Sequence, residues 1–130
     1  MKACSISITS AVDGTESVVK REGEMQISLL EAELFYREEE GEVRIFLQGE
    51  QARIERTGGY SLRLFLEEGK ESVGMLGING QEGEIPVYCD RVAYSAGEGS
   101  LLVSLGYRLI LGTETQEMKL RILAREKKGK

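Results

Sequence analysis

The stretch 101–124, LLVSLGYRLILGTETQEMKLRILA, decides how the chain is read. Leu101, Val103, Leu105, Tyr107, Leu109 and Leu111 share one parity, and after Gly112-Thr113-Glu114-Thr115 the residues Met118, Leu120, Ile122 and Ala124 resume it. A period of two is the mark of strands with one dry and one wet face, so the segment predicts a long β-hairpin. Lys119, Arg121 and Arg125 fall on the wet parity of the second arm, with Ser104 and Arg108 on that of the first. Leu102 and Ile110 also fall there and mark a partly covered exterior.

Working outward, the same alternation recurs in Cys4, Ile6, Ile8; in Val43, Ile45, Leu47; in Leu62, Leu64, Leu66; and in Ile85, Val87, Cys89, with Ala93 further along on that parity. Turn signals separate the runs: Asp13-Gly14, Glu40-Gly41, Gly49, Gly58-Gly59, Glu68-Gly69, Asn79-Gly80, Glu82-Gly83 and Gly97-Glu98-Gly99. Sixteen glycines and the single Pro86 suit a chain that turns often through positive φ. The expectation is an all-β meander of about 8–10 strands. An antiparallel sheet of that size removes its edges by closing, which favours an up-and-down barrel over a sandwich of two stacked sheets.

Residues 28–40 stand apart. Ser28-Leu29-Leu30-Glu31 has capping-box spacing, LLEAELFYREEE is rich in helix formers, and Gly41 sits where a helix would stop. The strand alternative sets Met25, Ile27 and Leu29 against a return arm through Leu34, Phe35 and Tyr36, turning at Glu31-Ala32-Glu33. Propensity does not choose between them.

At 130 residues the chain is sized for one domain, read as a barrel over 1–126 with a basic tail at 127–130. Charged residues are 30% and the apolar set 41%, enough to close a core. There is no histidine, so triads, Cys-His dyads and His-based zinc sites are excluded. Cys4 and Cys89 cannot supply the four ligands of a structural zinc site, and no cofactor is expected. No leader-like segment precedes MKACSISITS, which points to the cytoplasm and to free structural thiols. No apolar run is long enough for a membrane-spanning helix. The net charge of −5 disfavours nucleic acid as a partner, the run Arg125, Lys127, Lys128, Lys130 being the one local exception.

The opening strand with its Asp13-Gly14 turn, the REGEM stretch around Glu22-Gly23, the RTGGYSLRLFLEEGK block and the closing hairpin through Tyr107 and Gly112 to MKLRIL resemble the YwiB-like family of small bacterial proteins of unknown function. The resemblance runs over nearly the whole chain, with Arg56, Gly58 and Phe65 through Gly69 as its anchors. It implies a calycin-like, lipocalin-like barrel and a hairpin within 28–40. Family members tend to turn that hairpin with a glycine, which this chain lacks. The resemblance implies no activity.

In such a barrel the informative residues are polar ones on the inward parity. Arg56 follows Ala52 and Ile54, and Arg91 follows Val87 and Cys89, so both are expected to point inward. A buried guanidinium needs a partner, which a carboxylate such as Glu22 or a bound anion would supply. Otherwise each arginine caps a barrel end with its stem packed and its head wet. Tyr107 joins Arg56, Arg91 and Glu22 as a candidate ligand-binding residue; Tyr36, Tyr60, Tyr88 and Tyr94 serve as wall or rim. The expected function is non-enzymatic: a small, apolar or anionic molecule held in the interior or mouth.

Two other classes compete. An interaction module or homodimer would use Leu102, Ile110, Phe46 and Phe65 as an exterior patch. A metal-dependent triphosphate hydrolase of tunnel type would line the interior with the alternating glutamates, yet Lys119 and Arg121 fall opposite the apolar parity of their strand.

Overall fold

Asp13 and Gly14 both take positive φ, 50° and 87°, and Asn79 and Gly80 do the same at 52° and 79°. These are two-residue hairpin turns whose twist matches that of the strands they join, and only Asn, Asp and Gly occupy such angles at low cost. The computed structural model describes residues 1–127, and within them such turns connect ten antiparallel strands. The strands are β1 (Lys2–Val12), β2 (Thr15–Ile27), β3 (Glu31–Glu38), β4 (Gly41–Gln48), β5 (Gln51–Gly58), β6 (Tyr60–Glu67), β7 (Glu71–Ile78), β8 (Gln81–Gly97), β9 (Ser100–Leu111) and β10 (Glu114–Glu126). Each pairs with its neighbours in sequence, and β1 pairs with β10 to close the barrel.

The up-and-down barrel expected from alternation is the fold. The inward positions form one continuous core, including Ile6, Leu34, Ile45, Leu64, Leu105 and Ile122. The outward positions of β4, β5 and β10 carry charges at successive places, for example Arg53 and Glu55 or Lys119 and Arg121. A lipid-facing barrel would put an apolar band there instead. No helix is long and apolar enough to cross a membrane among the described residues.

Residues 28–40 are not helical. β2 continues to Ile27, the chain turns through Ser28-Leu29-Leu30, and β3 begins at Glu31, three residues before the return arm expected at Leu34. The Ser28 hydroxyl, placed as for a helix cap, donates to the Glu31 carbonyl at 3.2 Å, while the Ser28 N–H donates to the same oxygen at 2.9 Å. Serine thus closes this turn without a glycine. The Tyr94 hydroxyl from β8 then donates to the Leu30 carbonyl at 3.3 Å, tying this turn to the far wall.

A bulge in β8 changes one expectation. Cys89 pairs with Tyr107 but Arg91 with Gly106, so β8 contributes one residue more than β9 there. A bulge of this kind reverses parity beyond it. Val92, not Ala93, enters the core, and Asp90 and Arg91 both face out. The Glu68 carboxylate accepts from the Val92 N–H at 3.0 Å, holding a backbone donor beside the bulge.

Of the basic tail 127–130, only Lys127 falls in the described part; its ammonium pairs with Glu22, and 128–130 lie outside.

Candidate ligand-binding mouth of the barrel

The two ends of the cylinder differ. At the end bearing turns 28–30, 49–50, 68–70 and 98–99, the inward side chains are sealed: Leu47 is 1% exposed and Leu66 and Leu101 are 0%. At the opposite end, bearing turns 13–14, 39–40, 79–80 and 112–113, inward side chains are still within reach of solvent. Leu62, Leu76, Leu109, Met118 and Leu120 are only partly buried there, and Tyr60 and Ile78 are 43% and 51% exposed. Solvent therefore reaches the inward apolar side chains at this end, the mouth of the barrel.

Three strands bring charge into it. The Asp13-Gly14 turn fixes the first hairpin's register so that Ile6 pairs with Arg21 and Cys4 with Gly23. Because Ile6 and Cys4 are core residues, Arg21 shares their inward face. Its Nη1 donates to the Lys20 carbonyl at 3.3 Å, but Nε is fully buried and has no hydrogen-bond partner among the described residues. Gly23, next on this face, permits the approach of β3: a Cβ there would run into the Phe35 carbonyl oxygen and Ile6 Cδ1.

Arg56 enters from β5, 11% exposed in its side chain. Its Nε donates to Glu38 at 3.0 Å and its Nη1 to the Tyr60 carbonyl at 2.8 Å, with the guanidinium 3.7 Å from the Tyr60 ring centroid. The inward placement expected of Arg56 holds. Its partner is Glu38, not Glu22. Glu22 lies between Arg21 and Gly23 on the other face of β2, exposed and paired with Lys127.

Tyr36 from β3 and Tyr107 from β9 complete the wall, both buried. Burial, with Glu38 and Tyr107 adding to it, pushes the Tyr36 hydroxyl far above the usual phenol range, and the Arg21 guanidinium pulls it partway back. Burial, with Tyr60 adding, pushes Tyr107 up to about 12. Both phenols thus keep their protons, and with them a donor, at any physiological pH.

Arg91 is not part of this site. The bulge turns it to the exterior, where it is exposed. Of the four candidates Arg56, Arg91, Glu22 and Tyr107, the structure brings Arg56 and Tyr107 to the mouth and leaves Arg91 and Glu22 outside.

The polar residues that alternation alone missed are Arg21 and Glu38. The sequence held a signal for the first: a two-residue turn at Asp13-Gly14 forces Arg21 opposite Ile6.

Lys119 and Arg121 are exposed, opposite Met118, Leu120 and Ile122, and Glu22, Glu24, Glu82 and Glu84 occupy outward positions. No three Cys, Asp or Glu side chains converge as metal ligands among the described residues. The four outward apolar residues do not make one patch. Phe46 and Phe65 flank Arg53, which stacks 4.3 Å from the Phe46 ring, whereas Leu102 and Ile110 lie on β9, eight residues apart. The thiols are unbridged and buried, Cys4 pushed up to about 11 by burial and by Glu22 and Glu24, Cys89 raised by burial.

The barrel is similar to the crystal structure of the ywiB protein from Bacillus subtilis, with a TM-score of 0.83 and 14% identity over 98% of this chain and 93% of that one. At that identity the likeness concerns the fold. No family model matches the chain, and no curated protein matches it in sequence.

Proposed function

We propose that the protein is a non-enzymatic, calycin-like binder of a small amphipathic molecule with one anionic group, taken through the open mouth. The observation that carries this reading is the buried Arg21 Nε with no partner. A buried, unpaired donor costs roughly 1 to 3 kcal/mol, more beside a charge, and an anion seated on it removes that cost. Arg56 is already held by Glu38 and the Tyr60 carbonyl, so it contributes field and packing, and Arg21 contributes the free donor. Tyr36 and Tyr107 add phenolic donors, while Leu62, Leu76, Leu109 and Met118 supply apolar wall for the remainder.

Titration calorimetry with decanoate and decanol tests the reading. Decanoate is expected to bind to the wild-type protein and decanol at least tenfold more weakly, and Arg21→Leu should remove the difference. Equal binding of the two probes, or binding of neither, overturns it.

A further inference from the structure

A second site lies on the outside of the barrel, where the bulge puts Arg91. Strand register sets Arg91 of β8 and Lys119 of β10 on either side of Gly106 in β9. Gly106 has no side chain, so the floor between the two cations is bare backbone, and a cleft of about 380 Å³ opens over it. One step along the same face, Arg121 pairs with Ser104 on β9 and with Thr9 on β1, two short hydroxyl-bearing residues. One step the other way, Arg108 is forked onto Asp90, its Nε and Nη2 donating at 3.1 and 2.8 Å.

Four cations and two carboxylates, Asp90 and Glu117, line this cleft. The excess of two positive charges stands on a chain whose net charge is −5. Asp90 is engaged by Arg108, and Glu117 draws Lys119 at 3.7 Å with both groups largely in water. Arg91 and Arg121 make no ion pair among the described residues. Like charges gathered at one place repel, and a bulge that turns a further arginine toward them adds to that repulsion. An anion relieves it.

We infer that this cleft binds a phosphate group, with Arg91, Lys119 and Arg121 gripping the phosphate oxygens over Gly106 and Ser104 adding a hydroxyl donor. Phosphate fits better than carboxylate because donors arrive from three strands around one spot, suiting a multiply charged, tetrahedral acceptor more than a planar one. The cleft's volume exceeds a single phosphate and accommodates a diphosphate. This site is separate from the mouth and owes nothing to Arg21.

The test is an amide-resolved NMR titration with pyrophosphate, compared across the wild-type protein, Arg91→Gln/Arg121→Gln and Gly106→Val. In the wild type, the Ser104, Gly106 and Lys119 amides should shift together and saturate. The arginine variant, altered only at exposed positions, should bind at least tenfold more weakly. Gly106→Val keeps every charge and fills the floor; a Cβ at Gly106 meets the Arg91 Cβ at 3.6 Å and the Asp90 Cβ at 3.8 Å, both ordinary contacts. It too should weaken binding at least tenfold while its thermal melt stays cooperative. Should Gly106→Val fail to fold, the arginine variant alone decides. Vesicles of phosphatidylcholine doped with phosphatidic acid separate the sources of the phosphate: pelleting lost in the arginine variant assigns the site to a lipid headgroup, and no pelleting assigns it to a free molecule. Shifts that never saturate, that spread evenly to Arg37 and Arg63, or that survive in either folded variant overturn the inference.

Discussion

Arg21 faces Ile6 across the first hairpin, a guanidinium registered against a core aliphatic side chain with its Nε unpaired. Such a residue costs stability wherever it does not bind something. Arg21→Leu is therefore expected to raise the unfolding free energy by about 1 kcal/mol, the low end of the range for removing an unsatisfied buried donor. The same variant loses the preference for decanoate. Urea denaturation checks the first outcome and calorimetry the second; destabilisation by Arg21→Leu would show that the guanidinium has a partner that matters in the unliganded fold.

Arg56 predicts the opposite behaviour. It donates to Glu38 and to the Tyr60 carbonyl and stacks on the Tyr60 ring, with its side chain nearly all buried. Glu38 is a third exposed, so solvent dilutes part of the pairing. Arg56→Ala should cost about 2 kcal/mol by urea denaturation, through lost charge-assisted bonds and packing. Arg56→Lys should recover less than half, because an ammonium cannot reach two acceptors and lie flat on a ring.

The β8 bulge makes a sharper prediction. Deleting Asp90 would remove the extra residue and leave Arg91 opposite Gly106 and Val92 opposite Leu105, so Val92 and Tyr94 would keep their inward positions. The Tyr94 bond to Leu30 would be kept with them. We expect the deletion variant to keep cooperative thermal unfolding, measured by near-ultraviolet circular dichroism, and Asp90→Asn to unfold within about 1 kcal/mol of wild type.

Stability should fall in alkali. Burial raises Cys4 from 9.0 to about 11 and Tyr107 from 10.0 to about 12, so above pH 9 the unfolded chain releases protons that the folded chain retains. Unfolding is then favoured as pH rises: the contribution is whole below pH 9 and is lost as pH climbs through the folded values. Urea midpoints should be flat from pH 7 to 8.5 in this respect and decline above pH 9. Thiol labelling of the folded protein at pH 8 should be slow and should become rapid on denaturation.

Alternation made the barrel legible because side-chain period and burial are the same fact in a one-faced sheet; β4, β5 and β10 follow their parity without exception in the core, and β9 departs from it only at Gly106. Arg56 and Tyr107 were legible for that reason. Arg91 was not, since a bulge is set by tertiary fit at Gly106 and leaves no mark in a hydrophobic pattern. Glu22 was misassigned because β2 is mostly exposed and carries few apolar residues to fix its parity; only the register through Asp13-Gly14 does so. Residues 28–40 have helical propensity, but the barrel buries Ala32, Leu34 and Tyr36 in alternation, and that burial outweighs the local preference.

The seam between β1 and β10 joins the two strands farthest apart in the barrel's sequence order. A nascent chain that has emerged only as far as β9 is an open ribbon with two bare margins, and each of them can recruit a second ribbon. Sealing must await β10, so translation speed over the 114–126 segment, and release before it, should govern how much of this protein ends up in inclusion bodies.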